Sequence, residues 1–133
     1  MIRITVLFTA LITTLGITGW SPVYADASGM QQTNLLRQGL SEASDLEVVM
    51  ARVTIPADTT LPRHWHPGEE FAYLIEGSLV LWQDGKTDTP VTAGSAVHVP
   101  LNQIHTATAG PAGATILVFR VHKKGEPDRI LVD

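Results

Sequence analysis

The sequence predicts an all-β protein folded as a closed or nearly closed sandwich or barrel. After Asp45, short runs rich in Val, Ile and Thr recur at close intervals, and turn-forming residues separate them. No amphipathic helical period of about ten residues appears beyond that point. About seven or eight short antiparallel strands favour a sandwich or barrel, because closure leaves few exposed strand edges.

The first 25 residues differ from the rest and are typical of a signal peptide. They carry one charge, Arg3, and an apolar stretch of about 14 residues, shorter than the roughly 20 that span a bilayer as a helix. Ala25 closes the segment in an A-x-A-like position, so we expect cleavage there and export to the periplasm or the cell exterior, with no membrane association afterwards. An uncleaved membrane anchor is the alternative.

Residues 26–45 are expected to form an N-terminal leader, and residues 46–133 the folded domain. The leader begins with small polar residues from Asp26 to Asn34, which predict a mobile segment. Residues 35–40 are more apolar and predict a short strand or turn.

Within the domain, the first predicted strand covers Leu46–Ile55 and ends at Pro56. Further strands are expected at residues 62–66, 70–76, 78–83, 89–92, 96–100, 104–109 and 115–122, with 129–132 as a last edge. Turns are predicted between them at Gly77, at Asp84-Gly85 and at residues 110–113. The Asp-Gly pair between apolar alternations also predicts a hairpin.

Composition excludes several classes of function. Nine Lys and Arg against thirteen Asp and Glu give a net charge of −4, which argues against nucleic acid as a partner. The chain contains no cysteine, so thiolate metal sites, iron–sulfur clusters and a cysteine nucleophile are ruled out. Any bound metal must therefore be held by nitrogen and oxygen.

The histidines suggest where such a metal would bind. His64 and His66 flank Trp65 in a strand-like stretch, so both imidazoles project from the same face. Glu69 and Glu70 follow after a turn, and one of these carboxylates could face the imidazoles, with Glu70 favoured and Glu69 the alternative.

His105, after a second turn, is the fourth candidate ligand. We assign His98 and His122 no role in the site, since a lone histidine on a strand is more often structural.

This spacing resembles the cupin family. The first cupin motif is matched by His64, His66, Glu70 and Gly77, and the second by Gly94, Pro100, Asn102 and His105. The resemblance covers residues from about 46 to 122. Asp58 and Asn102 stand where the family has glycine, but Asp and Asn best tolerate the left-handed backbone region. Ala109 replaces a final asparagine.

The resemblance implies a double-stranded β-helix, also called a jelly-roll barrel. It implies one divalent transition metal, held by His64, His66, Glu70 and His105. That donor set suits Fe, Mn, Ni, Cu or Zn without selecting among them. Activities that the resemblance implies include dioxygenases, sugar isomerases and sulfur-compound lyases, and it also implies a homodimer.

A small-molecule pocket is expected beside the metal, lined by Gln103, Arg52 and Trp82. Gln103 shares a face with His105, while Ala72 shares the face of Glu70. No acid or base is apparent among the expected pocket residues. Two functions therefore remain open. The protein is either a metal-dependent oxygenase or lyase acting on a small organic molecule, or a non-enzymatic metal- or ligand-binding module of the cell envelope. A vestigial site is a third alternative.

Overall fold

The computed structural model describes residues 23–132. The predicted signal peptide lies outside the described residues except for its last three, which form the strand Val23–Ala25. Among the described residues, no helix is long and apolar enough to cross a membrane.

Nine β-strands make up the described part of the chain, and the all-β prediction is confirmed. The strands are β1 (Val23–Ala25), β2 (Gln31–Gly39), β3 (Leu46–Ile55), β4 (His64–Trp65), β5 (Gly68–Gln83), β6 (Thr89–Thr92), β7 (Ala96–Val99), β8 (His105–Lys123) and β9 (Ile130–Leu131). Every pairing between them is antiparallel, with β1, β2, β3 and β8 adjacent in that order. Strand β5 pairs with β6, β7 and β8, so β5 and β8 form the centre of the sheet.

The core lies between the inward faces of the curled sheet. Strand β3 shows the alternation clearly, because Ala51, Val53 and Ile55 are buried while Arg52 and Thr54 are exposed. Strand β8 repeats it with Ile116 and Val118 inside. This period of two is what an antiparallel sheet with one buried face requires.

Strands β5 and β8 are each longer than predicted, because two expected turns are bends inside continuous strands. Gly77 and the segment 110–113 were both expected to end a strand. Instead Gly77 and Gly113 both adopt positive φ, at 80° and 75°, and the β5–β8 register shifts on either side of Gly77. A Cβ at Gly77 would lie 2.0 Å from the carbonyl oxygen of Gly113. Glycines at such bulges let two paired strands bend together.

The expected leader also contains a strand. Residues 31–39 form β2, which pairs with β3 from Gln31↔Thr54 to Gly39↔Glu47. Residues 26–34 were expected to be mobile, but Met30 and Gln32 within them are buried, while the strand or turn expected over residues 35–40 is present as the second half of β2. Backbone pairing with the edge of β3 orders residues whose side chains alone carry little apolar surface.

Two turns have the predicted backbone. Asp58 and Asn102 are the non-glycine residues with positive φ in the described chain, at 54° and 58°. The N–H of Asn102 donates to the carbonyl of His66 at 3.2 Å, which ties this turn to the histidine segment. Strands β5 and β6 form the expected hairpin, but residues 84–88 connect them, and of the Asp84-Gly85 pair only Gly85 has positive φ, at 73°, so the connection is longer than the two-residue turn that the pair predicts.

Candidate metal centre

Three histidines from different parts of the chain converge inside the barrel. His64 lies on β4, His66 follows it, and His105 begins β8, where it is the register partner of His64. The ring centroids are 4.3 to 5.1 Å apart, and one nitrogen from each ring lies within 4.8 Å of the other two. All three side chains are buried. The sequence prediction that these residues meet agrees with this arrangement.

The backbone sets the tautomer of each ring. His64 Nδ1 is 2.8 Å from the carbonyl oxygen of Pro62, His66 Nδ1 is 2.6 Å from that of Asp128, and His105 Nδ1 is 2.9 Å from that of Gln103. A carbonyl oxygen only accepts hydrogen bonds, so each Nδ1 must carry the proton. Each Nε2 is then left with a free lone pair, as a metal ligand requires.

Two of the rings, those of His64 and His105, are also held in the neutral form. Burial, reinforced by the nearby His105, lowers the pKa of His64 to about 3. Burial likewise lowers the pKa of His105. Neutral imidazole is the form that ligates metals, so these two donors do not need to lose a proton at neutral pH.

Glu70 adjoins the cluster and is shared with an arginine. Its Oε2 lies 3.2 Å from His66 Nε2 and accepts a hydrogen bond of 2.6 Å from Nε of Arg120, the residue opposite it on β8. Burial alone would raise the pKa of Glu70, but the Arg120 guanidinium and the contact with His66 hold it well below its usual range. The group of mutually close donors comprises the three histidines and not Glu70.

The contact between His66 and Glu70 tests whether a metal fits. His66 Nε2 is buried and has no hydrogen-bond partner among the described residues. With Nδ1 donating to Asp128, Nε2 and the Glu70 carboxylate oxygen 3.2 Å away need a cation between them, either a proton on Nε2 or a metal ion. Two ligands at about 2.1 Å from one ion, at right angles, are separated by about 3 Å, so the spacing suits a shared divalent metal. The residues present therefore fit the predicted centre.

A narrow cavity of about 50 Å³ adjoins the histidines, and a wider cleft of about 440 Å³ lies next to it. The wall of the cavity is mostly apolar, with Ala72, Leu79, Val99 and Ile116 among its residues. The two spaces share four lining residues: Met30, Gln32, Arg120 and Arg129.

The three pocket residues expected from the sequence lie elsewhere. Arg52 is exposed, because it alternates with the inward-facing Ala51 and Val53. Trp82 is half-buried under the guanidinium of Arg63, 4.6 Å from its ring centroid. Gln103 donates to the carbonyl oxygens of Asp84 and Ile104 and braces the loop before β8.

His98 and His122, which were assigned no role in the site, lie outside the histidine group, and so does Glu69, the alternative carboxylate ligand. Glu69 is exposed, and its carboxylate lies 3.6 Å from His98 Nε2 on the outer surface. His122 is buried but lies beside Glu47 and not in the histidine group. Tyr73 is exposed on the outer face, as its alternation with Glu70 and Ala72 predicts.

Arg120 is the site residue that the sequence analysis missed. It occupies an inward position of β8, in step with Ile116 and Val118, and its side chain is 5% exposed. A charged residue at a core position of an alternating strand was a readable signal, because a buried charge needs a partner. The sequence does not show which residue that partner is, because Glu70 lies 50 residues away in the chain.

Comparison of this sequence with models of known protein families finds one matching family. The sequence model described as "Cupin domain" matches residues 51–119, which cover the histidine cluster, Glu70 and the central strands. None of the curated protein sequences compared with this chain matches it.

Three solved structures illustrate the similarity in fold. The DMSP lyase DddQ from Ruegeria pomeroyi DSS-3 has a TM-score of 0.67 at 23% identity, over 84% of this chain and 56% of the lyase. An RmlC-like cupin from Shewanella frigidimarina has a TM-score of 0.62 at 16% identity, over 87% of this chain and 95% of its own. A mutant of the Bacillus subtilis oxalate decarboxylase OxdC has a TM-score of 0.69 at 17% identity, over 84% of this chain and 30% of its own.

At these identities the likenesses show the fold, and the predicted double-stranded β-helix is confirmed. This chain spans just over half the length of the lyase.

Proposed function

Because the chain belongs to the cupin family, we propose that it is an exported, metal-dependent enzyme of the oxygenase or lyase type that acts on a small organic molecule. The observation that carries the proposal is the set of three buried imidazoles. Backbone carbonyls accept hydrogen bonds from the Nδ1 atoms of His64, His66 and His105, which leaves the Nε2 side of each ring for a metal, and one nitrogen of each ring lies within 4.8 Å of the other two.

The centre would hold one divalent transition metal through His64, His66 and His105, with Glu70 as the fourth ligand. Imidazole and carboxylate donors suit Fe, Mn, Ni, Cu or Zn. Three protein nitrogens and one carboxylate leave room in the coordination shell for a small molecule, unlike a closed structural site. When bound, the metal would supply Lewis-acid or redox chemistry.

The other groups of the cavity have roles of their own in this proposal. Arg120 keeps Glu70 ionised, so this carboxylate is a ligand or proton acceptor and not a proton donor. The apolar wall, including Leu79, Val99 and Ile116, excludes water from the ligand. Two proteins of similar fold are named as a DMSP lyase and an oxalate decarboxylase, which also supports a reaction on a small organic molecule.

Elemental analysis of the protein purified from its native compartment tests the metal. We expect one transition metal per chain in the wild type and in H98A, whose histidine lies outside the cluster, and loss of the metal in H64A. Metal-loaded protein should then turn over a member of a panel of catechols, flavonols and short thioethers. Absence of a stoichiometric metal in the wild type would disprove the central claim.

A second candidate function is non-enzymatic binding of a metal or small ligand in the cell envelope. It is favoured by the cavity wall, which in the described chain offers no acid or base besides the histidines and Glu70. Tight metal binding without turnover of any panel member, in any metal form, would support this candidate over the enzyme.

Export is part of the same proposal and is supported by the sequence of residues 1–25. Cleavage after Ala25 would remove β1 and keep Asp26, whose carboxylate pairs with Arg129 at 3.1 Å. Mass spectrometry of the protein from fractionated cells should find a mature chain that starts at Asp26 in the periplasm or medium. An intact N-terminus in the cytoplasmic fraction would contradict export.

A further inference from the structure

The wall of the cavity beside the histidines carries two guanidinium groups and one carboxylate. Its charged lining residues, apart from the histidines, are Glu70, Arg120 and Arg129. Arg120 is paired with Glu70 and Arg129 with Asp26, so these charges balance, and a divalent metal would give the cavity a positive excess. Low-dielectric walls strengthen this field, so the cavity favours an anionic ligand.

Arg120 has an unused hydrogen-bond donor. Its Nε donates to Glu70, but its Nη1 is buried and has no partner among the described residues. A buried polar group without a partner costs about 1–3 kcal/mol, and more when it is charged. Arg120 also lines the cavity, so a ligand there can supply an acceptor to its guanidinium.

Arg129 differs from Arg120 because it already has an ion pair. Its Nη2 lies 3.1 Å from Asp26 Oδ2, and its side chain is partly exposed. Both arginines lie where the narrow cavity and the wider cleft share a wall. Arg120 is therefore the cation with an unpaired donor, whereas the charge of Arg129 is balanced by Asp26.

We propose that Arg120 anchors the carboxylate of a short organic acid whose other end faces His64, His66 and His105. A planar guanidinium matches a carboxylate in shape and charge. The small volume and apolar wall favour a short, singly charged acid over a phosphate, whose second charge would face Glu70. This inference rests on the proposed function, since it names the substrate class of the same site.

Paired ligands that differ only in charge test the proposal on the full chain. Calorimetric titration of metal-loaded protein would compare lactate with lactamide, and propionate with propionamide, with inorganic phosphate as a further arm. We expect each acid to bind at least about tenfold more tightly than its amide. The preference should fall to about twofold or less in R120Q and persist in R52Q, an exposed arginine on β3. Tighter binding of phosphate than of lactate would overturn the carboxylate assignment.

Two further measurements test the proposal if R120Q does not fold. The double variant E70Q/R120Q removes both charges of the buried pair, so neither is left unpaired, and it should bind acid and amide equally. In the wild type, the NMR signal of the Arg120 Nε–H should shift on addition of lactate and not of lactamide. Equal responses to both ligands would overturn the proposal even if no variant folds.

The proposed function and this inference can fail separately. A protein that holds a metal but shows no preference for acids contradicts the inference alone. If the wild type never acquires a metal, and it and H64A both still prefer lactate to lactamide, the result contradicts the proposed function alone.

Discussion

His64 and His105 are register partners, and they join β4 to β8 through a single residue pair with ring centroids 4.3 Å apart. The two residues lie in different cupin motifs, so closure of the barrel brings the motifs together. The contact places two basic groups side by side in a buried site. Its consequences for acid stability and for metal binding can be measured.

The metal-free protein should lose stability as the pH falls below about 6.5. The unfolded chain protonates His64 near pH 6.5, whereas the folded chain does so near pH 3. The unfolded state therefore binds more protons between these values, and each such histidine costs about 1.4 kcal/mol per pH unit. Glu70 has a lowered pKa, so it adds a further loss below about pH 4.5.

Urea unfolding of chelator-treated protein between pH 4 and 7 measures this dependence. The slope should be smaller in H64Q, which cannot take up the proton. H98Q, altered at an exposed histidine, should follow the wild-type curve. Equal slopes in H64Q and the wild type would show that His64 is already protonated in the folded state.

A divalent metal should stabilise the folded protein. At a free Zn(II) concentration about 100 times the dissociation constant, the free energy of unfolding should rise by about 2.7 kcal/mol. H105A removes one of the three converging donors, so it should show little of this gain, while H98A should show all of it. Thermal or urea unfolding with and without Zn(II) checks the prediction, and an equal gain in both variants would place the ion elsewhere.

Gly77 should be far less tolerant of substitution than Gly85. Both have positive φ, which costs an alanine about 1–2 kcal/mol. At Gly77 the new methyl group would also lie 2.0 Å from the Gly113 carbonyl oxygen, whereas at Gly85 it meets nothing within 4 Å. We expect G77A to lose about 3 kcal/mol or more and G85A about 1–2 kcal/mol.

Urea denaturation of both variants measures the difference. Similar losses in G77A and G85A would mean that β5 and β8 can move apart at the bend without cost.

Arg37 should affect metal binding from a distance. Its guanidinium pairs with the buried carboxylate of Glu47 and with the side chain of Asp128. The main-chain carbonyl of Asp128 accepts the hydrogen bond from His66 Nδ1, 62 residues away in sequence. R37M should weaken metal binding by about tenfold, because an outer partner of a ligand is loosened, and should lower stability by about 2 kcal/mol.

Competition with a chromogenic chelator gives the affinity, and urea unfolding gives the stability. R52M serves as the control, since Arg52 is exposed on the neighbouring strand. Lost stability with unchanged metal affinity would show that the segment around Asp128 keeps its position without Arg37.

The local sequence pattern predicted the structure of a segment correctly where its conformation does not depend on distant strands. Strands β3 and β6 both have the ranges predicted for them, residues 46–55 and 89–92. The turns at Asp58 and Asn102 follow from side chains that tolerate positive φ. Gly77 was misread as a strand end, because a bend and a turn use the same glycine, and only pairing with β8 tells them apart.

The cavity wall was less predictable than the histidines. Arg52 and Trp82 were chosen by residue type, yet strand alternation turns Arg52 outwards and Arg63 covers Trp82. Met30 and Gln32 come from a segment expected to be mobile, and they enter the cavity only because β2 pairs with β3.

The sequence by itself determined that the chain is all-β and that His64, His66 and His105 are the metal-binding candidates, because strand alternation and motif spacing are local properties. Only the tertiary structure decided which nitrogen of each ring is free and that Glu70 is shared with Arg120. These features depend on partners far apart in the chain, as the 50 residues between Glu70 and Arg120 show. Barrel closure brings such partners into contact, and their hydrogen bonds set the chemistry of the site.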